Sequence, residues 1–243
     1  MQNAERFNMT KELTVVKEYA IMKPDTNVGE IIELNLGGEA LSISDLDHIK
    51  TPVGGSQVWN LPSIDGDENV KEFDAIIIHS QIQRTYWKEE FSGSGTPPDC
   101  FSNDAKTGTG DPGGICANCP QNEFNTSKAG KGRGKACSTK RIMFLVRPQN
   151  ILPVILRVPV SSVKNSRKYL AGLSSEGKSV SSVVTRFSLD KDKNKDGITY
   201  TKVTFSRVAS VEDPTAIERY VESIKPYITQ AVTKIDPGEA TTG

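Results

Sequence analysis

Apolar residues fall in a few separated runs along the chain, and their spacing predicts most of its elements. The run Asp74–Trp87 is long and β-prone, with Ile76, Ile77, Ile78, Ile82, Thr85, Tyr86 and Trp87, and stops where Gly93, Gly95, Pro97 and Pro98 begin; it predicts a strand. Arg141–Arg147 and Val154–Val158 predict two more, with Pro148 and Pro153 marking their connection. The period then changes. Val163, Ser166, Tyr169 with Leu170, and Leu173 recur three or four residues apart, with Lys164, Arg167 and Lys168 between them, which predicts an amphipathic helix over 161–173. Val183, Thr185, Phe187 and Leu189 alternate with Val184, Arg186 and Ser188, and Ile198–Val208 is again β-prone. The two runs predict a hairpin joined by a loop over 190–197. Asp213-Pro214 supplies an N-cap and first-turn proline for a helix carrying Ile217, Tyr220, Val221 and Ile224, which Pro226 kinks or ends.

Upstream of these runs the pattern is weaker. Residues 1–29 form a polar arm with one apolar patch, Glu30–Leu36 partly alternates, and Ser44–Ile49 predicts a helical turn ended by Pro52 and Gly54-Gly55. The order strand, long polar insertion, strand, strand, helix, strand, strand is that of an OB-fold. The expected fold class is therefore mainly β, an OB-fold-like β-barrel with an insertion and flanking helices. Its expected divisions are an arm with lead-in elements (1–69), the barrel (70–209) containing the insertion (93–140), a C-terminal helix (210–235) and a flexible tail (236–243).

The 243 residues are 36% hydrophobic, enough for a buried core. The longest apolar stretches, such as Ala75–Ile78, fall far short of the roughly 18 residues that cross a bilayer, so no membrane partner is expected. The polar N-terminus, with Glu5, Arg6, Asn8 and Glu12, lacks the pattern of a secretory signal. The expected location is a reducing cytoplasm, where disulfides are rare.

All four cysteines, Cys100, Cys116, Cys119 and Cys137, sit in the polar insertion with C-x15-C-x2-C-x17-C spacing. Core cysteines would be scattered among apolar strands. Here Gly113-Gly114 and Pro120 flank the central pair, residues that let backbone turn tightly around an ion. Four thiolates suit a closed structural zinc (Zn2+) site, whose binding energy would order a segment with no core of its own. A redox-active or disulfide pair and an iron–sulfur cluster are the alternatives. His48 lies well upstream, and His79, inside a predicted strand, reads as a hydrogen-bonded structural histidine.

Lys+Arg and Asp+Glu balance at 30 each, yet their distribution is uneven. Between Phe124 and Ser175 there is no acid and there are eleven basic residues: Lys128, Lys131, Arg133, Lys135, Lys140, Arg141, Arg147, Arg157, Lys164, Arg167 and Lys168. Lys131, Arg133 and Lys135 alternate with Gly130, Gly132 and Gly134, so backbone there can lie close to a polyanion while side chains reach phosphates. Arg84, Tyr86, Trp87 and Lys88 interleave cations with aromatics at the edge of the insertion, where bases can stack. The candidate nucleic-acid contacts are those four with Lys128, Lys131, Arg133, Lys135, Lys140, Arg141, Lys164, Arg167 and Lys168. Trp59, Phe101 and Tyr200 read as packing residues. Asp192–Gly197 matches the first half of a calcium loop, but Val203 stands where the bidentate Glu belongs; a charged hairpin turn is the better reading. No phosphate-loop, nucleophile-elbow, zinc-protease or paired-carboxylate motif occurs, and no enzyme is expected.

Pro97-Pro98-Asp99-Cys100, Ser102, Asp104, Pro112-Gly113-Gly114, Cys116-Ala117-Asn118-Cys119-Pro120 and Gly134-Lys135-Ala136-Cys137 resemble the cysteine-rich signature of single-stranded DNA-binding proteins of bacterial viruses and mobile elements. The resemblance spans about residues 84–205. It implies a zinc-containing OB-fold protein that coats single strands during replication or recombination in a bacterial host cell, with the four cysteines as metal ligands. Such proteins often end in an acidic tail that recruits replication enzymes, whereas the end of this chain carries only Asp236 and Glu239; replication or recombination proteins are candidate partners, with their recruitment through the tail put in doubt. A zinc-ribbon module that binds a host protein, and an RNA-binding protein, are the competing readings.

Overall fold

The computed structural model describes residues 14–16, 19–22, 27–89, 97–127, 134–194 and 197–233. Its strands are β1 (Thr14–Val16), β2 (His48–Ile49), β3 (Trp59–Leu61), β4 (Glu68–Val70), β5 (Glu72–Tyr86), β6 (Cys100–Ser102), β7 (Thr107–Gly110), β8 (Gly114–Ile115), β9 (Ser138–Val146), β10 (Val154–Val158), β11 (Val183–Lys193) and β12 (Thr199–Val211). The helices are α1 (Val28–Leu36), α2 (Val160–Ser175) and α3 (Pro214–Thr233). The protein is mainly β, a large mixed sheet with flanking helices.

The body of the sheet runs β1-β12-β11-β5-β9-β10-β2, antiparallel except where β1 joins β12 and β2 joins β10. Alternation along the strands sends side chains to two cores. Ile76, Ile78, Ile142, Phe144 and Val184 pack with Val28 and Ile32 of α1 and Ile217, Tyr220 and Ile224 of α3. Phe73, Ile77, Met143, Leu145 and Phe187 pack with Trp59 and Leu61 of the β3–β4 hairpin and with Tyr169 and Leu170 of α2. Trp59 is fully buried and meets Phe73 edge-on at 5.3 Å, the packing role expected for it.

The expected barrel does not close. Among the described residues no ladder joins β10 to β12, and the reason lies in α2. Ser162 Oγ accepts the Val203 N–H at 2.8 Å, Asn165 Nδ2 donates to Val203 O at 3.1 Å, and Ser161 Oγ donates to Thr201 O at 3.5 Å. These are the backbone groups of β12 that a closing strand would use, and helix side chains satisfy them instead. β10 in turn receives β2 on its free edge.

One more expectation needs correction, and two boundaries are refined. Glu30–Leu36 belongs to a helix whose start is capped by Asn27 and whose end is Gly37 at φ 61°; Val28 and Ile32, one turn apart, are its buried pair. α3 runs through Pro226, which is exposed, so the carbonyl its missing N–H frees stays open to water. Ser44–Ile49 divides into a short 3-10 turn (Ile43–Asp45) with a Ser42/Asp45 capping box, followed by β2. The tail at 236–243 and most of the arm lie outside the described residues.

Candidate metal centre and basic surface

β5 is long enough to hold two partners on one edge: β11 pairs with Glu72–Ile76, and β6 pairs with Arg84–Tyr86. The β6–β7–β8 ribbon carries the insertion away from the sheet and sets Cys100 opposite Tyr86. Cys116 opens a 3-10 turn (Cys116–Asn118), and Cys119 is the cap between it and the next, which Pro120 opens. Cys137 precedes β9, its N–H donating to Gln121 O at 2.8 Å. Gly110 makes the ribbon's tight turn at φ 101°, where a Cβ would fall 2.1 Å from Asp99 O.

Arg84, Tyr86 and all four cysteines line one cavity of about 10 Å³, room for about one water-sized sphere. All four are free thiols. A Cβ on Gly108 would lie 2.9 Å from Cys100 Sγ and 3.7 Å from Cys116 Sγ, so these two sulfurs face one point and only glycine fits between them. The four surround a void rather than converge on it: among the described residues no three His, Cys, Asp or Glu side chains are grouped as a set that could hold a metal ion. Burial pushes the Cys137 thiol up to about 11; the Arg84 guanidinium works against this and the other three cysteines add to it. Cys100 is raised by burial too, with the Gly113 N–H opposing.

The insertion is held by polar contacts rather than by a core. Ile115 and Phe124 are exposed. The Cys116 N–H donates to Lys106 O at 2.8 Å, Asn122 Nδ2 to Cys116 O at 2.9 Å, and the Ala136 N–H to Thr126 Oγ1 at 2.9 Å. Asp104 closes one turn by accepting from the Lys106 and Thr107 N–H groups.

The expected basic residues go to several places rather than to one wall. Arg84 and Tyr86 belong to the thiol cavity: Arg84 Nη1 donates to Cys116 O at 3.4 Å, and Tyr86 is only 7% exposed, which takes its ring out of reach of a base. Trp87 is half-buried. Lys88 is ion-paired with Asp111, and its N–H donates to Asp99 Oδ2 at 2.7 Å. Lys135 donates to Asn122 Oδ1 at 3.1 Å and lies 4.7 Å over the Phe124 ring. Lys140 and Arg141, neighbours on β9, point to opposite faces: Lys140 lines a cavity with Arg157, while Arg141 donates to Ser80 Oγ at 2.9 Å. Burial, and then the positive charge of Arg167, lower the Arg141 pKa; α2, which carries Arg167, packs against β9. Lys164, Arg167 and Lys168 are exposed on α2, one turn apart. Lys128, Lys131 and Arg133 lie outside the described residues.

His79 is exposed and bonds Gln81 Oε1 at 3.2 Å. The expected loop over 190–197 is shorter: β11 runs on to Lys193, with Asp192 opposite Tyr200 and accepting from Lys202 Nζ and Tyr200 Oη, while residues 195 and 196 lie outside the described residues. Asp99 and Asp111, which hold Lys88, were not among the expected site residues; an acid beside the first cysteine and another before Pro112 were the available signals. Comparison with protein-family models, curated proteins and solved structures finds no match to this chain.

Proposed function

We propose that the chain is a non-catalytic, sequence-tolerant single-stranded DNA-binding protein of a phage or mobile element, with a structural zinc ion held by Cys100, Cys116, Cys119 and Cys137. The observation that carries the strand-binding reading is the packing of α2, on which Lys164, Arg167 and Lys168 are exposed, against β9, which carries Arg141. Cations that neighbour one another across β9 and α2 repel, and a polyanion relieves that repulsion. Phe124–Ser175 contributes no acid to oppose it. The four thiols lining one small cavity, in a segment that leaves Ile115 and Phe124 exposed, support the zinc reading. The ladders β5–β9, β9–β10, β11–β12 and β11–β5 support an open OB-like arrangement that lacks only its closing ladder.

The test is fluorescence anisotropy with a labelled homopolymer DNA strand at two salt concentrations, beside metal analysis of the purified chain. Binding that falls steeply with salt, and a slope reduced by about one for each of Arg141→Gln and Arg167→Gln, is the expected result. Absence of strand binding at low salt, or an unchanged slope, overturns the reading. Exposed Ile115 and Phe124 favour a second reading, a zinc-stabilised module that docks on a protein. An RNA strand of matched sequence that outcompetes the DNA would reassign the polymer.

A further inference from the structure

The seam left open between β10 and β12 is a cavity of about 210 Å³, walled by the His48–Gly54 segment, β9, β10, the start of α2 and the start of β12. Lys50, Lys140 and Arg157 line it, together with Ser161, and none of its lining residues is an Asp or a Glu. His48 fixes the arginine. Its Nε2 lies 3.1 Å from Ile43 O, which only accepts, so Nε2 carries the proton; the Nδ1 lone pair then accepts from Arg157 Nη1 at 2.9 Å. A neutral imidazole thus orients the guanidinium without cancelling its charge. Lys140 is half-buried in the same wall. Three cationic side chains thus meet at one partly enclosed space whose lining holds no carboxylate, a composition that suits an anion.

We propose that this cavity is a phosphate-group site, in which Arg157 and Lys140 grip the oxygens and Lys50 closes the exposed side. Three cations match a phosphate better than a carboxylate, which has one charge and two oxygens to offer. The phosphate can belong to free inorganic phosphate, to a nucleotide or to a strand terminus, and the chemistry that recognises it is shared. The inference does not rest on strand binding by α2, since its residues are different ones.

Titration calorimetry of the full chain with inorganic phosphate, against chloride of matched ionic strength, tests it. One phosphate per chain is expected, with affinity falling ~10-fold or more in Arg157→Gln and in Lys140→Gln. Lys225→Gln, on α3 and away from the cavity, retains wild-type affinity. Circular dichroism checks folding, and Lys50→Gln at the exposed rim gives the same readout should an inner variant fail to fold. Competition by adenosine 5′-monophosphate and by 5′-phosphorylated against 5′-hydroxyl oligonucleotides identifies the source. No phosphate-specific heat beyond chloride, or equal affinity in wild type, Lys50→Gln, Lys140→Gln and Arg157→Gln, overturns the proposal.

Discussion

Ser162→Ala tests the account of why the sheet stays open. Ser162 is fully buried, and its hydroxyl is the acceptor for the Val203 N–H at 2.8 Å. Alanine removes the acceptor and leaves a buried donor unpaired, at a cost of ~1–3 kcal/mol. Water cannot easily replace it, because Val203 is also fully buried. Alanine's better helix propensity returns up to about 0.5 kcal/mol, so a net loss of ~0.5–2.5 kcal/mol is expected. At 2–4 °C per kcal/mol for a chain of this size, Tm falls by ~1–10 °C. Urea and thermal denaturation followed by circular dichroism measure both quantities. Amide exchange at Val203 should accelerate more than at Phe187 in the middle of β11. An unchanged Tm together with unchanged exchange at Val203 would refute the idea that α2 side chains stand in for a closing ladder.

Other expectations concern pH, metal and an ion pair. Burial, and then Arg157, lower the His48 pKa below its ordinary 6.5, so the folded protein takes up this proton less readily than the unfolded chain. The stability it contributes is complete above about pH 6.5 and falls as pH drops below that value, and His48→Gln should flatten the fall of the urea midpoint below about pH 6.5. Cys137→Ser should abolish stoichiometric zinc in the purified chain and open the 97–137 segment to protease, while far-UV circular dichroism of the sheet is retained; zinc retained at wild-type stoichiometry counts against the ligand set. Asp74 receives a two-pronged contact from Arg186, at 2.8 and 2.9 Å. Both side chains are about a third exposed, so solvent screens the pair, and Asp74→Asn should cost only ~0.5–1 kcal/mol in urea titration.

The long strands and α2 were legible because their periods are sustained. Val154–Val158 is a strand over the same residues in sequence and structure, and the change of spacing after Pro159 marks α2. β2, β3 and β4 are two or three residues long, too short for any period to register. Sheet closure was not legible for a different reason. It turns on Ser162 and Asn165, and polar residues on a helix ordinarily signal solvent rather than the edge of a strand. The basic segment failed as a single wall because linear density says nothing about side: adjacent residues on a strand face opposite ways, as Lys140 and Arg141 do. The four cysteines, confined to one polar stretch of the sequence, line one small cavity.

The point of attachment explains how such an insertion can exist without unfolding its host. It leaves the sheet after β5 and returns at β9, and these strands are paired right up to the junction, with Thr85 opposite Ser138. The sheet has therefore already met the entropy of bringing the two ends together. An ion bound by the thiols has only the interior of the segment to order, and Arg84, rooted in β5 and bonded to Cys116 O, ties that interior to the sheet. If the proposed ion is bound, its removal should accordingly loosen the ribbon and its 3-10 turns first, because β5 and β9 retain each other and both cores beneath them.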